Sequence, residues 1–68
     1  MTFPNLRVEM VRKGITQTEL AKMLGMSDST LSLKLRGIQK LTFADTLAIK
    51  DALESDIPVE KLFEAEDD

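Results

Sequence analysis

The 68-residue chain contains no cysteine and no histidine. Without cysteine it can form neither a disulfide nor a thiolate metal site. Without histidine it lacks the most common general base and the most common zinc ligand. The sequence also offers no paired carboxylates, glycine-rich loop or serine-nucleophile context. We therefore expect no enzymatic activity, no metal and no cofactor.

Long apolar segments are absent as well. No run approaches the roughly 20 residues that a helix needs to span a bilayer, and the N-terminus lacks a signal-peptide pattern. We expect a cytoplasmic protein without a membrane partner, and nothing in the sequence indicates a small-molecule ligand. A chain of 68 residues lies near the lower size limit for independent folding. Its stability must therefore come from well-packed helices, to which pairing with a second copy could add.

The net charge of −3 conceals an uneven distribution. Residues 1–50 contain eight Lys/Arg and four Asp/Glu, which gives a local net charge of +4. Residues 51–68 contain eight acids and one lysine, Lys61, which gives −7. The distribution of charge along the chain is a better guide to binding partners than the net charge of the whole chain. Two charged surfaces that contact only water, and bind no partner, would explain the uneven distribution equally well.

Helix signals recur five times along the chain. The starts are marked by capping residues or by proline, at Pro4, Thr16, Ser27, Thr42 and Pro58. Three glycines fall where helices would end, at Gly14, Gly25 and Gly37. No segment is a credible strand. The sequence predicts an all-α domain over residues 1–63, followed by an acidic tail at 64–68.

The second and third helices are joined by a very short link, Gly25-Met26-Ser27. A turn of this length that begins with glycine suits two helices crossing at a large angle, as in a helix-turn-helix. Ala21 is small where the two helices would approach most closely. The leucines expected in the shared core are Leu20, Leu24, Leu31 and Leu35. A generic helical hairpin would need much the same pattern.

The outer face of the third helix offers candidates for reading bases. If Leu31 and Leu35 point inward, helical spacing directs Ser29 and Leu33 outward. Serine can bond several base edges, leucine can pack on a thymine methyl, and aspartate can accept from cytosine N4. The base-reading candidates are Asp28, Ser29, Ser32 and Leu33. Two alternatives stay open: Asp28 could only complement the helix dipole, and Ser29 could only be a solvated helix residue.

A second group of residues suits the phosphates of DNA. The starts of the second and third helices present free N–H groups, and nearby cations add charge. The loop over residues 37–40 could lie along the backbone. The phosphate-binding candidates are Gln17, Ser27, Lys34, Arg36 and Lys40. Such contacts fix register without reading sequence, and so few cations predict modest, salt-sensitive binding.

The segment TQTELAKMLGMSDSTLSLKLRG, residues 16–37, closely resembles the helix-turn-helix of the Cro/C1-type phage repressors, or XRE family. The matching residues are Thr16-Gln17, Leu20-Ala21, Gly25, Ser27, Thr30-Leu31-Ser32 and Gly37. The first and fourth helices also fit the family, and KLRG followed later by IPVEKLF is similar to a small subgroup from prophages of Gram-positive bacteria. The resemblance implies a five-helix lambda-repressor-like domain with a central helix-turn-helix.

The family's roles carry over by position. The resemblance implies that Gln17 helps to hold a phosphate and that the loop around Lys40 and Leu41 lies on the DNA backbone. It also implies base contacts at three of the candidates above, namely Asp28, Ser29 and Leu33. Family members usually bind two-fold symmetric operators as homodimers, through residues late in the domain. The dimer candidates here are Ile57, Pro58 and Val59, and Phe43 or Leu47 could also be exposed.

Two departures from the family pattern matter. Met10 and Leu35 stand where many members have a buried arginine and glutamate, so we expect an apolar contact there instead of an ion pair. Asp28 is acidic and Leu33 is apolar where polar or basic residues are common, which leaves the target sequence open. The leading hypothesis is a sequence-specific DNA-binding regulator, a prophage-type repressor that occludes its operator. The alternative is a protein-interaction module, antirepressor-like or antitoxin-like, that keeps the fold without specific DNA binding.

Overall fold

The computed structural model describes residues 3–65, which form five α-helices and, within that range, no strand. The helices are α1 Pro4–Lys13, α2 Gln17–Leu24, α3 Asp28–Leu35, α4 Phe43–Leu53 and α5 Val59–Leu62. The predicted all-α class and the five helices are confirmed. The last three acids of the predicted tail, residues 66–68, lie outside the described residues. In the described part of the chain, no helix is long and apolar enough to cross a membrane.

The helix starts use the caps that the sequence indicates. The Thr16 hydroxyl accepts the N–H of Glu19 at 3.2 Å, and the Glu19 carboxylate accepts the N–H of Thr16 at 3.1 Å. Thr42 and Asp45 form the same reciprocal pair at the start of α4. At the start of α3 the hydroxyl of Ser27 accepts a backbone N–H. Each cap satisfies donors that have no partner inside the helix.

Left-handed residues end three of the helices, α1, α2 and α4, and one of them sets the turn between α2 and α3. Gly25 has φ +72°, and the N–H groups of Gly25 and Met26 bond back to the carbonyls of Lys22 and Ala21. This Schellman arrangement needs a positive φ, which glycine adopts without the steric cost of a Cβ. Helix α4 ends in the same conformation at Glu54, φ +50°, although no glycine is present. A search for glycines therefore cannot locate this helix end.

One core joins all five helices. The fully buried apolar side chains are Leu6, Leu20, Ala21, Leu31, Ile49, Leu53 and Leu62. Leu24 and Leu35, which we expected in the core, are half-buried against it. Helix α2 packs on both α3 and α4. The position of α3 is therefore set by the same core that positions α4.

A buried carboxylate connects α1 to the segment before α5. Glu9 is only 1% exposed, and its Oε2 accepts the hydroxyl of Ser55 at 2.6 Å. Its Oε1 lies 3.1 Å from a guanidinium nitrogen of Arg12, as an ion pair without hydrogen-bond alignment. The Ser55 hydroxyl also accepts the N–H of Ile57 at 3.2 Å. Glu9 thus anchors the segment in which we expect the dimer contact.

Replacing Ser55 with alanine would leave the buried Glu9 carboxylate without its one aligned hydrogen bond. We expect Ser55→Ala to lower the free energy of unfolding by about 1–3 kcal/mol, because a buried polar group that loses its partner retains its desolvation cost. Urea denaturation followed by circular dichroism measures this. Ser29→Ala, at an exposed serine, is the matched control and should change stability by less than about 0.5 kcal/mol. Equal losses of unfolding free energy in the two variants would contradict a stabilising role for the hydrogen bond between Ser55 and Glu9.

Candidate nucleic-acid interface

The starts of α2 and α3 lie side by side. Gln17 is the first residue of α2 and Asp28 is the first residue of α3. The Gln17 side-chain amide donates to Asp28 Oδ1 at 3.0 Å. The N–H groups in the first turn of a helix have no intrahelical acceptor and carry partial positive charge. The fold thus brings two anion-attracting helix ends together, as the helix-turn-helix prediction requires.

The candidate base-reading residues differ in exposure along α3. Asp28 and Ser29 are exposed, whereas Ser32 and Leu33 are half-buried. Leu33, which helical spacing directs outward, is thus less exposed than Ser29. The chain folds back at the end of α3, where the Leu33 carbonyl accepts the N–H groups of Ile38 and Gln39 at 3.0 and 3.1 Å. Helical spacing alone cannot account for this returning loop.

The hydrogen bond between Gln17 and Asp28 restricts what both side chains can do. While it is formed, one oxygen of Asp28 is occupied and the Gln17 amide points to a carboxylate. A DNA phosphate or base edge would have to compete with this contact. Asp28 also lies at the N-terminus of α3, where a negative charge is favourable. Both interpretations of Asp28, as a base contact and as a dipole partner, remain compatible with its position.

The phosphate candidates separate into residues with and without partners inside the fold. Within residues 3–65, the exposed side chains of Arg36 and Lys40 have no hydrogen-bond or ion-pair partner. The Ser27 hydroxyl, in contrast, accepts the N–H of Thr30 and donates to the Thr30 hydroxyl at 2.8 Å. Only the backbone at Ser27 is thus left for an anion. Among the described residues, Arg36 and Lys40 are therefore the phosphate candidates whose charge no other side chain pairs with.

Lys34 is held inside the protein. Its ammonium lies 2.9 Å from Asp45 Oδ2, and the two side chains are only 19% and 20% exposed. We predicted a phosphate contact for Lys34 because cations late in α3 suit that role. The structure instead gives it an intramolecular partner, so we assign Lys34 to joining α3 to the start of α4. Both residues are visible in the sequence, but their pairing depends on the packing of the two helices.

Asp45 combines this ion pair with its role as a cap. The hydrogen bond from the Lys34 ammonium, together with the N–H of Thr42 at 3.1 Å, holds the pKa of Asp45 below its ordinary value. Partial burial acts in the opposite direction and is the weaker influence. The ionised form is therefore favoured in the folded protein. One carboxylate both starts α4 and fixes the C-terminal half of α3.

The predicted dimer residues offer a limited apolar surface. Pro58 is exposed, whereas Ile57 and Val59 are half-buried. A larger apolar surface lies on α4, where Phe43 is 68% and Leu47 is 46% exposed. The sequence-based suggestion that these two side chains are exposed is confirmed. Within residues 3–65, no group of three or more acids is placed to hold a metal ion.

A family model described as helix-turn-helix matches residues 6–58, which is most of the chain. The chain belongs to the Cro/C1-type helix-turn-helix family, also called the XRE family. This Cro/C1-type protein is accordingly a DNA-binding helix-turn-helix regulator with a lambda-repressor-like fold, in a family of regulators and not of enzymes. No curated protein and no solved structure matches the chain significantly. The family resemblance that residues 16–37 indicate is therefore confirmed.

The lowered pKa of Asp45 predicts how stability depends on pH. Its contribution is fully present above about pH 4, the ordinary aspartate pKa, and is lost as pH falls through the lower folded-state pKa. The difference in unfolding free energy between the wild type and Asp45→Asn should therefore shrink as pH falls from 7 to about 2. Other acids such as Glu19, whose pKa is also lowered, titrate in both proteins and largely cancel.

Chemical denaturation at several pH values measures this difference. Lys34→Met is the matched variant, since it removes the larger cause of the pKa shift while keeping a side chain of similar length. In the Lys34→Met background, the effect of Asp45→Asn should depend less on pH. A difference between wild type and Asp45→Asn that stays constant over the whole pH range would show that the ion pair has no such role.

Proposed function

We propose that this DNA-binding regulator is a prophage-type repressor that binds a two-fold symmetric operator as a homodimer and blocks a promoter by occlusion. The observation that carries the proposal is the pairing of the starts of α2 and α3 through Gln17 and Asp28. Such an arrangement allows the N-terminal part of a reading helix to enter the major groove while helix ends contact the backbone. No chemical step is required.

The residues on this surface have distinct roles in the proposal. Ser29 is the leading base contact because it is exposed in the first turn of α3, and Asp28, Ser32 and Leu33 complete the reading set. Phosphates are bound by Arg36, by Lys40, and by the backbone at Gln17 and Ser27. Base contacts determine which duplex is preferred, whereas phosphate contacts set register and overall affinity.

The charge distribution supports this orientation on DNA. The acids of residues 51–65 would be repelled by a duplex, so the proposed complex requires their carboxylates to point away from the phosphates. The same C-terminal part contains Ile57, Pro58 and Val59, through which we propose that a second copy binds. Phe43 and Leu47 provide exposed apolar area that could extend the contact. A homodimer would double a small number of phosphate contacts and thereby raise affinity.

Selection from a library of random duplexes at low salt tests the proposal. Enrichment of a two-fold symmetric site, with half-sites about one helical turn apart, would support a dimeric operator-binding protein. Enrichment of a single half-site would support specific binding but contradict the dimer. The operator selected in this way then serves for all variants.

A protein-interaction module is the second candidate function. It is favoured by the exposed Phe43 and Leu47 side chains, and by an acidic residue, Asp28, at the start of the reading helix. Large exposed apolar side chains on one helix are typical of partner contacts. If the selection enriches no sequence and binding to bulk duplex does not depend on salt, this function replaces the repressor.

Variants of Ser29 and Lys40 distinguish reading from backbone binding. Ser29→Ala should lower the preference for the selected operator over a scrambled duplex by about 1–3 kcal/mol if the hydroxyl makes a good base contact. Lys40→Ala should weaken binding to both duplexes equally. It should also reduce by about 1 the salt slope, which is the slope of the logarithm of the binding constant against the logarithm of the salt concentration. Fluorescence anisotropy over a range of salt concentrations measures both effects. The reverse pattern, with Lys40→Ala altering preference and Ser29→Ala not, would refute these assignments.

A charge at Val59 tests the proposed dimer contact. Val59→Asp should weaken self-association at least tenfold, because an aspartate would be buried between copies without a partner. The first turn of α5 tolerates an acid, so the monomer should remain folded. Sedimentation equilibrium measures association and thermal denaturation checks folding. Val8→Asp, at an exposed apolar residue of α1, is the control; equal effects of the two variants would argue against a specific contact at Val59.

A further inference from the structure

A concavity of about 360 Å³ lies between α1, the start of α2 and the end of α3. Its lining residues are Phe3, Leu6, Arg7, Met10, Gln17, Ser32, Leu35 and Arg36. Three of them, Gln17, Ser32 and Arg36, belong to the proposed DNA-binding surface. The concavity therefore extends that surface onto α1, a helix to which we have so far assigned no DNA contact.

Two arginines from different parts of the chain line this concavity. Arg7 comes from α1, Arg36 caps the end of α3, and both are exposed. Within residues 3–65 neither guanidinium forms an ion pair or a side-chain hydrogen bond. Arg12, the other arginine, is paired with Glu9. As far as residues 3–65 are concerned, the charges of Arg7 and Arg36 are thus available to an external anion.

The remaining lining residues carry no negative charge. The walls are formed by apolar side chains, including Met10 and Leu35, and none of the eight lining residues is acidic. No carboxylate in the lining can therefore neutralise the arginines. Apolar walls also exclude some water, which strengthens the attraction between a guanidinium and an anion at the opening. The two guanidinium groups consequently make the opening of the concavity suited to an anion.

We propose that Arg7 and Arg36 together bind one phosphate of the DNA backbone at the opening of this concavity. This inference rests on the proposed function and adds Arg7 to the phosphate-binding residues. Arginine binds phosphate through several N–H groups in a fixed plane, and two such groups on different helices constrain the phosphate from both sides. The contact carries no sequence information, so Arg7 sets affinity and register but not operator preference.

The test compares two variants of α1 that remove the same charge. Arg7→Gln should weaken binding to the selected operator and to a scrambled duplex alike, by about tenfold at low salt, and should reduce the salt slope by about 0.9. Lys13→Gln is the control. Lys13 is at the other end of α1, where its ammonium lies 3.3 Å from the Glu54 carbonyl, and its replacement should leave the slope nearly unchanged. Thermal denaturation confirms that both variants are folded.

A second measurement locates the phosphate. In operators that carry one neutral methylphosphonate at a time, the wild type should lose affinity at each contacted phosphate. For Arg7→Gln, neutralising one particular phosphate in each half-site should no longer lower the affinity. For Arg36→Gln, neutralising the same phosphate should lower the affinity less than it does for the wild type. Arg7→Lys, which keeps the charge, should recover part of the salt slope.

The outcomes separate this inference from the proposed function. If the wild type binds the operator but Arg7→Gln and Lys13→Gln behave alike, the phosphate contact of Arg7 is refuted and the repressor remains. The same holds if Arg7→Gln keeps its sensitivity at every phosphate. If the wild type binds no duplex, the proposed function fails and this inference fails with it.

Discussion

The close packing of α2 against α3 determines what the protein can present to DNA. Ala21 is buried where α2 packs, and Leu20 and Leu31 fill the shared core, so the two helices approach closely. The left-handed turn at Gly25 then makes the large change of direction within three residues. Because of this geometry the first residues of both helices are neighbours, and their partial positive charges combine. A bulkier residue at position 21 would have no room in this core and would displace the helices packed on α2.

The charges of the domain fall into two groups with different functions. Glu9 and the pair of Lys34 with Asp45 are largely buried and hold segments of the fold together. Arg7, Arg36 and Lys40 are exposed and, within residues 3–65, have no charged partner. A cation can attract DNA strongly only if no carboxylate of its own chain neutralises it. The pairs of Arg12 with Glu9 and of Lys34 with Asp45 thus leave fewer cations free to attract DNA than the composition of the sequence suggests.

The apolar residues Met10 and Leu35 connect the stability of the domain to its binding surface. Both are half-buried against the core and line one concavity. Well-packed apolar residues can replace a buried ion pair without loss of stability. Neither Met10 nor Leu35 carries a charge that could neutralise the two arginines lining the same concavity. In the proposed complex, a residue pair that does not itself bind DNA therefore leaves Arg7 and Arg36 free to do so.

Local sequence signals determined the helices, because caps and helix ends depend on neighbouring residues: Thr16 with Glu19, and Gly25 after α2, predict their roles correctly. The short link and the motif over residues 16–37 were likewise sufficient to identify the family. Only the tertiary structure decided which charges are available, since Lys34 and Asp45, or Glu9 and Ser55, meet through helix packing that no local pattern encodes. Exposure along α3 was decided in the same way: helical spacing directs both Ser29 and Leu33 outward, yet Ser29 is exposed and Leu33 is half-buried.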